Sequence, residues 1–299
     1  MPGIAHSVHF ADLLRLAEMK RVAAQIAEHE PRIDVLINNA GALFATRRIT
    51  EDGLERSFAL NHMAYFIMTT GLRERLSASA PARSINTASA AHQGATLDFD
   101  DLQSAKRFGA MEAYGRSKLC NILFTRELAR RLHGTGVTAN CLHPGFVATR
   151  FGDQSGGLIS PLVWLAKIFA ISPVKGAETI VYLASSPNVA ETTGQYFYKS
   201  VPTAPSSWAT NYAAVFFRPS FPRRCAMRLS SAMRPISASL VSGPANASIC
   251  ITHSRPNLGA KERIYCHGPV FTRMLWGGTF RRLRTKSFAT NESKKPALL

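Results

Sequence analysis

The stretch DVLINNAG at residues 34–41 decides the fold that this sequence predicts. Its first half, Asp34 to Ile37, is a short and mainly apolar run, and its second half consists of small residues. A strand covered on both faces shows no polar alternation, and small residues with Asn and Gly are typical of a loop. The stretch therefore predicts a buried strand whose carboxyl end opens into a tight loop.

Outward from this strand, helical and strand patterns alternate along the chain. Apolar residues recur at three- and four-residue steps in the predicted helices, and short apolar runs mark the strands. The predicted helices cover 11–26, about 50–76, 111–132 and 173–183, and the predicted strands cover 34–37, 83–88, 137–142 and 195–198. Such alternation predicts an α/β fold, a Rossmann-like parallel sheet with flanking helices. Ligands of such sheets bind beyond the carboxyl ends of the strands.

The charge of the chain is unevenly distributed between two segments. The formal net charge is +17, but residues 215–299 hold 11 Arg and 4 Lys against Glu262 and Glu292, which amounts to +13. Residues 1–214 therefore carry only +4, and we predict that they form one domain. A nearly balanced domain gives no indication of specific nucleic-acid binding.

The basic segment 215–299 has no sustained period, so we expect an irregular tail. An Arg-, Ser- and Pro-rich stretch of this kind is what out-of-frame translation of a GC-rich gene produces. The alternative is a nucleic-acid-binding extension, with residues 281–286 as its best phosphate-binding cluster. Cys250, His253, Cys266 and His267 do not have the spacing of a usual zinc finger, and we predict no metal site.

Membrane and redox signals are weak. No apolar run reaches the roughly 18 residues that a spanning helix needs, so we expect no transmembrane segment. The five cysteines are few and irregularly spaced, which does not indicate a disulfide framework. We expect Cys120 and Cys141 to be reduced thiols in a cytoplasmic protein.

Tyr114 and Lys118 form the first candidate pair for chemistry. Four-residue spacing places both on one face of the predicted helix. A neighbouring ammonium favours a phenolate and so lowers the pKa of a tyrosine, which then exchanges protons with an alcohol or carbonyl. The pair alone also fits a solvated helix surface.

Ser89 and Asn61 are further candidates, and each also has a purely structural explanation. Ser89 follows a predicted strand, where its hydroxyl either binds a substrate oxygen or caps a turn. Asn61 lies mid-helix, where asparagine is unfavourable, and either positions a water or sits on a surface. We expect the nearby His92 to be structural, since no acid or metal-ligand spacing accompanies it. The small-residue segments 38–41 and 144–149 let a flat ring approach the main chain, or are simply loops.

Taken together, these elements resemble the short-chain dehydrogenase/reductase family. They occur in the family's order: NNAG at 38–41, Asn61, Ser89, Tyr114-x-x-x-Lys118, and P-G-x-V-x-T at 144–149. The resemblance covers roughly residues 8–214. Residues 114–119, 123–128, 143–145 and 194–197 are most similar to its retinol-dehydrogenase-like branch.

The resemblance implies an oxidoreductase that moves a hydride between NAD or NADP and a carbonyl or alcohol. It assigns the acid/base role to Tyr114, and implies that Lys118 lowers the pKa of Tyr114 and binds the nicotinamide ribose. Ser89 would orient the substrate oxygen, and Asn61 would anchor a relay water. The implied cofactor contacts are Asp12, Asn38, Ala40, Gly41, Tyr114, Lys118, Pro144, Gly145, Val147 and Thr149. The implied partner is a small-molecule substrate, with homo-oligomer formation as a further expectation. The apolar segment 158–171 lies where the family has its substrate lid and suggests a lipophilic substrate.

The sequence departs from the family before Asn38. The family's glycine-rich pyrophosphate turn has no counterpart, since Gly3 is the only glycine among residues 1–37. We therefore expect an N-terminally truncated sheet in which residues 8–10 are the remnant of a strand and the 34–37 strand is an exposed apolar edge. We also expect weak dinucleotide binding. The alternative function is a catalytically impaired remnant or interaction protein of the same family.

Overall fold

A seven-stranded sheet organises the chain. The computed structural model describes residues 7–147, 171–210, 249–253 and 263–266. The strand order is β5-β4-β3-β2-β1-β6-β7. The strands are β1 Val35–Asn38, β2 Ala82–Thr87, β3 Val137–His143, β4 Tyr196–Tyr198, β5 Val201–Pro202, β6 Ile249–His253 and β7 Arg263–Cys266. β1 to β4 pair in parallel, whereas β5, β6 and β7 are antiparallel to their neighbours. The predicted Rossmann-like fold with a parallel sheet is confirmed.

The helices cover both faces of this sheet. They are α1 Leu16–His29, α2 Arg56–Phe58, α3 Ala64–Ala78, α4 Ala110–Arg131, α5 Pro173–Ser185 and α6 Ser207–Thr210. Leu36 of β1 packs with α1, α3 and the end of α4, whereas Val35 and Ile37 point to the other face and pack with α5. Burying each such aliphatic side chain contributes roughly 1.5–3 kcal/mol. The short β1 is therefore fixed in place by apolar contacts on both faces.

The predicted start of the first helix differs from the observed one. The prediction began at Ala11, but α1 begins at Leu16 because Asp12 closes a turn before it: its carboxylate accepts a hydrogen bond from the backbone N–H of Leu14, at 2.9 Å. The prediction that residues 8–10 are a strand remnant is wrong, since they lie in no strand and Phe10 is 82% exposed.

The predicted long helix at 50–76 consists of three parts. Gly53, with a φ of +77°, belongs to a turn before α2, and the buried Glu55 carboxylate accepts the N–H groups of Ser57 and Phe58. Between α2 and α3 lies a π-helical turn, Ala59–Met63. This wider turn contains the candidate Asn61.

The edge beside β1 is covered. β6 pairs antiparallel with β1, with Leu36 opposite Ile251, and β7 pairs with β6. The expectation of an exposed apolar edge is therefore wrong, because an unpaired strand edge accepts hydrogen bonds from any extended segment. β6 and β7 belong to the segment 215–299, for which the sequence predicted no element.

None of the described helices combines the length and hydropathy that crossing a membrane requires.

Candidate functional site

The candidate site lies where β1 and β2 end and α4 passes over them. Lys118 is 2% exposed, and its Nζ donates to the carbonyl oxygen of Thr87, the last residue of β2, at 3.0 Å. Tyr114, one helical turn earlier, is 8% exposed. The predicted Y-x-x-x-K face of the helix is thus turned inward and not toward solvent.

Burial dominates the electrostatics of this pair. Desolvation lowers the pKa of Lys118 to about 7, and it raises the pKa of Tyr114 to about 12 although Ser89 donates to the phenol oxygen and opposes that rise. The Lys118 Nζ lies 5.7 Å from the centre of the Tyr114 ring. Burial thus outweighs the Ser89 hydrogen bond in setting the pKa of Tyr114, and a lowering of that pKa by Lys118 stays a prediction.

Ser89 meets Tyr114 at the carboxyl end of β2. It precedes a 3₁₀-helical turn, Ala90–Gly94, and its hydroxyl oxygen accepts the N–H of Ala91 at 3.3 Å. Ser89 therefore caps a turn and also hydrogen-bonds the Tyr114 side chain, whereas its binding of a substrate oxygen stays a prediction.

Asn61 is fully buried in the π-helical turn. Its amide bonds both main-chain groups of Ala42: Oδ1 accepts the N–H at 2.8 Å, and Nδ2 donates to the oxygen at 3.0 Å. Nδ2 also donates to the Ser117 hydroxyl at 3.0 Å. The side chain thus joins the NNAG loop to α4, which excludes the surface alternative.

Gly41 gives the main chain room beside these groups. A Cβ placed there would lie 3.2 Å from both Asn61 Oδ1 and Lys118 Nζ. The residue itself is exposed, while its neighbour Ala40 is buried. The lack of a side chain at Gly41 therefore lets this loop lie close against Asn61 and Lys118.

Other predicted contacts lie elsewhere. Asn38 points into the interior, where its Nδ2 donates to Thr69 and to Asn86, so its side chain is not in the site. Asp12 lies at the turn before α1. Thr149 and the predicted lid at 158–170 are outside the described residues.

The segment from Pro144 to Val147 follows β3 and is held in place by contacts with Ile171 and α5. Val147 pairs with Ile171 in an isolated bridge and packs on Gly176 of α5. Gly145, with a φ of +91°, makes the turn that this requires. The segment is half-buried, at the same carboxyl end of the sheet as Ser89.

His92 is structural, as expected. It is fully buried, its Nδ1 lies 2.6 Å from the Ser89 carbonyl oxygen, and its Nε2 accepts the N–H of Ser206. Within the described ranges, no three His, Cys, Asp or Glu residues form a group that could hold a metal ion.

Four residues of the site were missed by sequence analysis. Ser117 links Asn61 to the Tyr114 carbonyl oxygen, and Asn121 donates to the Asn61 carbonyl oxygen. His62 approaches Asn121, and Tyr65 lies on the other side of Lys118, whose Nζ is 5.4 Å from its ring centre. The one available signal was polar residues at helical spacing around Lys118, on a helix otherwise buried there.

Comparisons with known proteins identify relatives of this chain. The chain is 45% identical over 189 residues to retinol dehydrogenase 14 of Homo sapiens, covering 62% of this chain and 56% of that protein. It is 42% identical over 195 residues to retinol dehydrogenase 13 of Homo sapiens, covering 62% and 58%. The chain thus spans a little over half the length of these curated relatives.

A solved structure and a family model extend the comparison. The crystal structure of an uncharacterized protein from Mycobacterium paratuberculosis matches with a TM-score of 0.55 and 27% identity over 77% of each chain. The model of the short chain dehydrogenase family matches residues 5–156, which include Asn61, Ser89, Tyr114 and Lys118. This chain belongs to the short-chain dehydrogenase family, whose members use NAD or NADP, and it is similar to retinol dehydrogenases.

Proposed function

We propose that the chain transfers a hydride between a nicotinamide cofactor and a lipophilic carbonyl or alcohol, with Tyr114 moving the proton. One observation carries the proposal: Tyr114 and Lys118 are buried side by side where β1 and β2 end, next to Ser89 and Asn61. The lipophilic substrate class rests on the retinol dehydrogenases among the relatives and on the apolar segment 158–171.

The residues around Lys118 fit the nicotinamide half of such a cofactor. The Gly41 main chain lies close to Lys118, and an ammonium is a suitable donor to ribose hydroxyls. The loop after β1, with Ala40 and Gly41, and the segment after β3, with Pro144, Gly145 and Val147, would offer main-chain groups to a flat ring. When bound, the cofactor supplies or accepts the hydride.

The proton follows a path through this chain's own residues. Tyr114 is protonated at neutral pH, because its pKa is about 12, so it is an acid for carbonyl reduction. Its proton goes to the substrate oxygen as that atom gains charge, and Ser89 holds the same oxygen by a hydrogen bond. The phenolate left on Tyr114 is stabilised by the Lys118 ammonium, which is the protonated form below a pH of about 7. In the alcohol-oxidising direction, Tyr114 takes the proton back.

The test uses the purified full chain with NADH or NADPH and an apolar aldehyde such as retinal, followed by loss of reduced-cofactor absorbance. We expect turnover that falls by about 10²–10⁴ in Tyr114→Phe, the range typical of a lost general acid. Tyr182→Phe is the matched control, since Tyr182 lies on α5 and packs with Phe197 on the other face of the sheet. Equal turnover of wild type and Tyr114→Phe would contradict the assignment of Tyr114 as the proton donor. No turnover with either cofactor would favour the alternative of a non-catalytic member of the family.

Self-association and a cytoplasmic location stay predictions. Light scattering of the purified chain tests the first, and cell fractionation tests the second.

A further inference from the structure

Two main-chain oxygens of the site are held by a single side-chain amide. Asn121 Nδ2 donates to the carbonyl oxygen of Asn61 at 2.8 Å and to that of Thr87 at 3.3 Å. The Asn61 carbonyl lies in the π-helical turn between α2 and α3. The Thr87 carbonyl is the same one that accepts from Lys118 Nζ.

The orientation of this amide is set from behind by His62. His62 Nδ1 lies 3.1 Å from Asn121 Oδ1. Burial lowers the pKa of His62 to about 4, so the ring is neutral at neutral pH. An amide oxygen only accepts, so Nδ1 carries the hydrogen in this contact. The ring is held between Phe58 and Phe124, with centroid distances of 5.2 and 6.2 Å.

We propose that Asn121, oriented by His62, is a positioning residue that fixes the carbonyl oxygens of Asn61 and Thr87 and thereby the place of the Lys118 ammonium. The inference rests on the proposed function only because that function gives the Lys118 ammonium its catalytic role. Asn121 is fully buried, and its own carbonyl is tied to Thr125 one turn along the helix. The chain of contacts therefore runs from His62 through Asn121 to the carbonyl that Lys118 shares.

Sharing this carbonyl weakens the bond that the ammonium makes. An N–H dipole aimed at the same oxygen competes with Lys118 and repels its charge. Removing the amide leaves the Thr87 carbonyl oxygen to Lys118 alone, which favours the charged form. The other titratable side chains around the ammonium are Tyr65 on α3, Tyr114 on α4 and His62 in the π-helical turn.

The test reads Lys118 directly, without cofactor or substrate. The full chain is labelled with ε-¹³C lysine, the Lys118 signal is assigned by its loss in Lys118→Arg, and its titration is followed by NMR. We expect Asn121→Leu to move the midpoint upward from about 7. His62→Phe should shift it in the same direction, and the double variant should shift it no further than Asn121→Leu, since both act through one amide.

Thr69→Val is the matched control. Thr69 is also a buried polar residue, on α3, and its loss removes an acceptor of Asn38 Nδ2. A merely structural effect would appear in both variants, whereas the proposal expects an unchanged Lys118 midpoint in Thr69→Val. If Asn121→Leu does not fold, Asn121→Ser replaces it, because its hydroxyl is too short to span both carbonyls.

Two results would overturn the proposal: an unchanged midpoint in the folded Asn121 variant, or shifts of His62→Phe and Asn121→Leu that simply add. In an active chain, Asn121→Leu should also lower kcat about tenfold with little change in KM for the cofactor. Absence of turnover in the wild type would refute the proposed function and leave the NMR result standing, so the two failures are distinguishable.

Discussion

The carboxyl end of the sheet and the edge beside β1 are held together by different kinds of contact. At the carboxyl end, individual side chains make the contacts: Lys118 bonds the Thr87 oxygen, and Asn61 bonds both main-chain groups of Ala42. At the edge, β6 joins β1 through main-chain pairing over four residue pairs. The first region therefore depends on residue identity, whereas the second depends on any extended segment with free N–H and C=O groups.

Among the variants that test this comparison, the largest effect is expected from one added methyl group at the carboxyl end. In Gly115→Ala the new Cβ would lie 2.6 Å from the main-chain oxygen of Ala91. Since Ala91 belongs to the 3₁₀-helical turn after Ser89, relieving this contact displaces the whole turn. We expect turnover to fall about 10²-fold, because a displacement near 1 Å is enough for that, and stability to fall by about 1–3 kcal/mol. Steady-state rates and urea unfolding measure both.

Gly94→Ala controls for the loss of glycine. Gly94 ends the same 3₁₀-helical turn, and a Cβ there has no atom within 4 Å. Gly94→Ala should therefore behave like the wild type. Equal activity of the two variants would mean that the contact of α4 with this turn does not place Ser89.

The second effect concerns the edge beside β1, where we expect stability and self-association to depend on main-chain pairing and not on which side chain is present. Ile251 lies in β6 between β1 and β7, so a proline there removes a ladder donor. We expect Ile251→Pro to lose about 1–3 kcal/mol of unfolding free energy and to associate, because the β1 edge is then free. Ile251→Val should keep the wild-type values in urea unfolding and light scattering. Wild-type behaviour of Ile251→Pro would show that β1 does not need this partner.

Sequence patterns predicted one of these regions far better than the other. The 111–132 prediction nearly coincides with α4, and the 137–142 prediction with β3, because apolar periodicity records which face is buried. β6 pairs with a strand more than 200 residues earlier, and its own local sequence does not indicate that partner. A domain boundary near 214 stays a prediction, although β6 joins the sheet from beyond it.

The sequence predicted which residues form the site, but not how deeply they are buried or which other residues contact them. Ser89, Asn61, Tyr114 and Lys118 were found from their order and spacing, whereas the π-helical turn and Asn121 depend on how α4 crosses the strand ends. The rise that burial causes in the Tyr114 pKa was not predicted either, for the same reason. A spacing of four specifies neighbours, but the degree of burial comes from the whole fold.

A third prediction is that removing the charge of Lys118 stabilises the fold. Burial of its ammonium is costly, so Lys118→Met should gain on the order of 1–3 kcal/mol of unfolding free energy at pH 7 while losing activity.

The folded pKa of Lys118, about 7, is below the ordinary 10.5, so above pH 7 the unfolded chain binds more protons than the folded one. Wild-type stability should therefore rise with pH, by on the order of 1 kcal/mol between pH 7 and 8.5, relative to Lys118→Met. Urea unfolding at both pH values measures the difference, and parallel pH dependence of the two chains would mean that Lys118 is not a buried titrating group.

The smallest effect is expected from a new Cβ that meets a rigid side chain, compared with one that meets a flexible side chain at a similar distance. In Gly41→Ala the new Cβ would meet Asn61 Oδ1 and Lys118 Nζ at 3.2 Å, and Asn61 is fixed by three side-chain hydrogen bonds. Since the neighbours must give by a few tenths of an ångström, we expect KM for the cofactor to rise by roughly three- to tenfold with stability nearly unchanged. Gly109→Ala is the control, because its Cβ would meet the exposed Glu112 carboxylate at 3.3 Å and that side chain can turn away. A KM that rises equally in both variants would contradict the idea that side-chain identity at the carboxyl end, and not general crowding, determines how the site works.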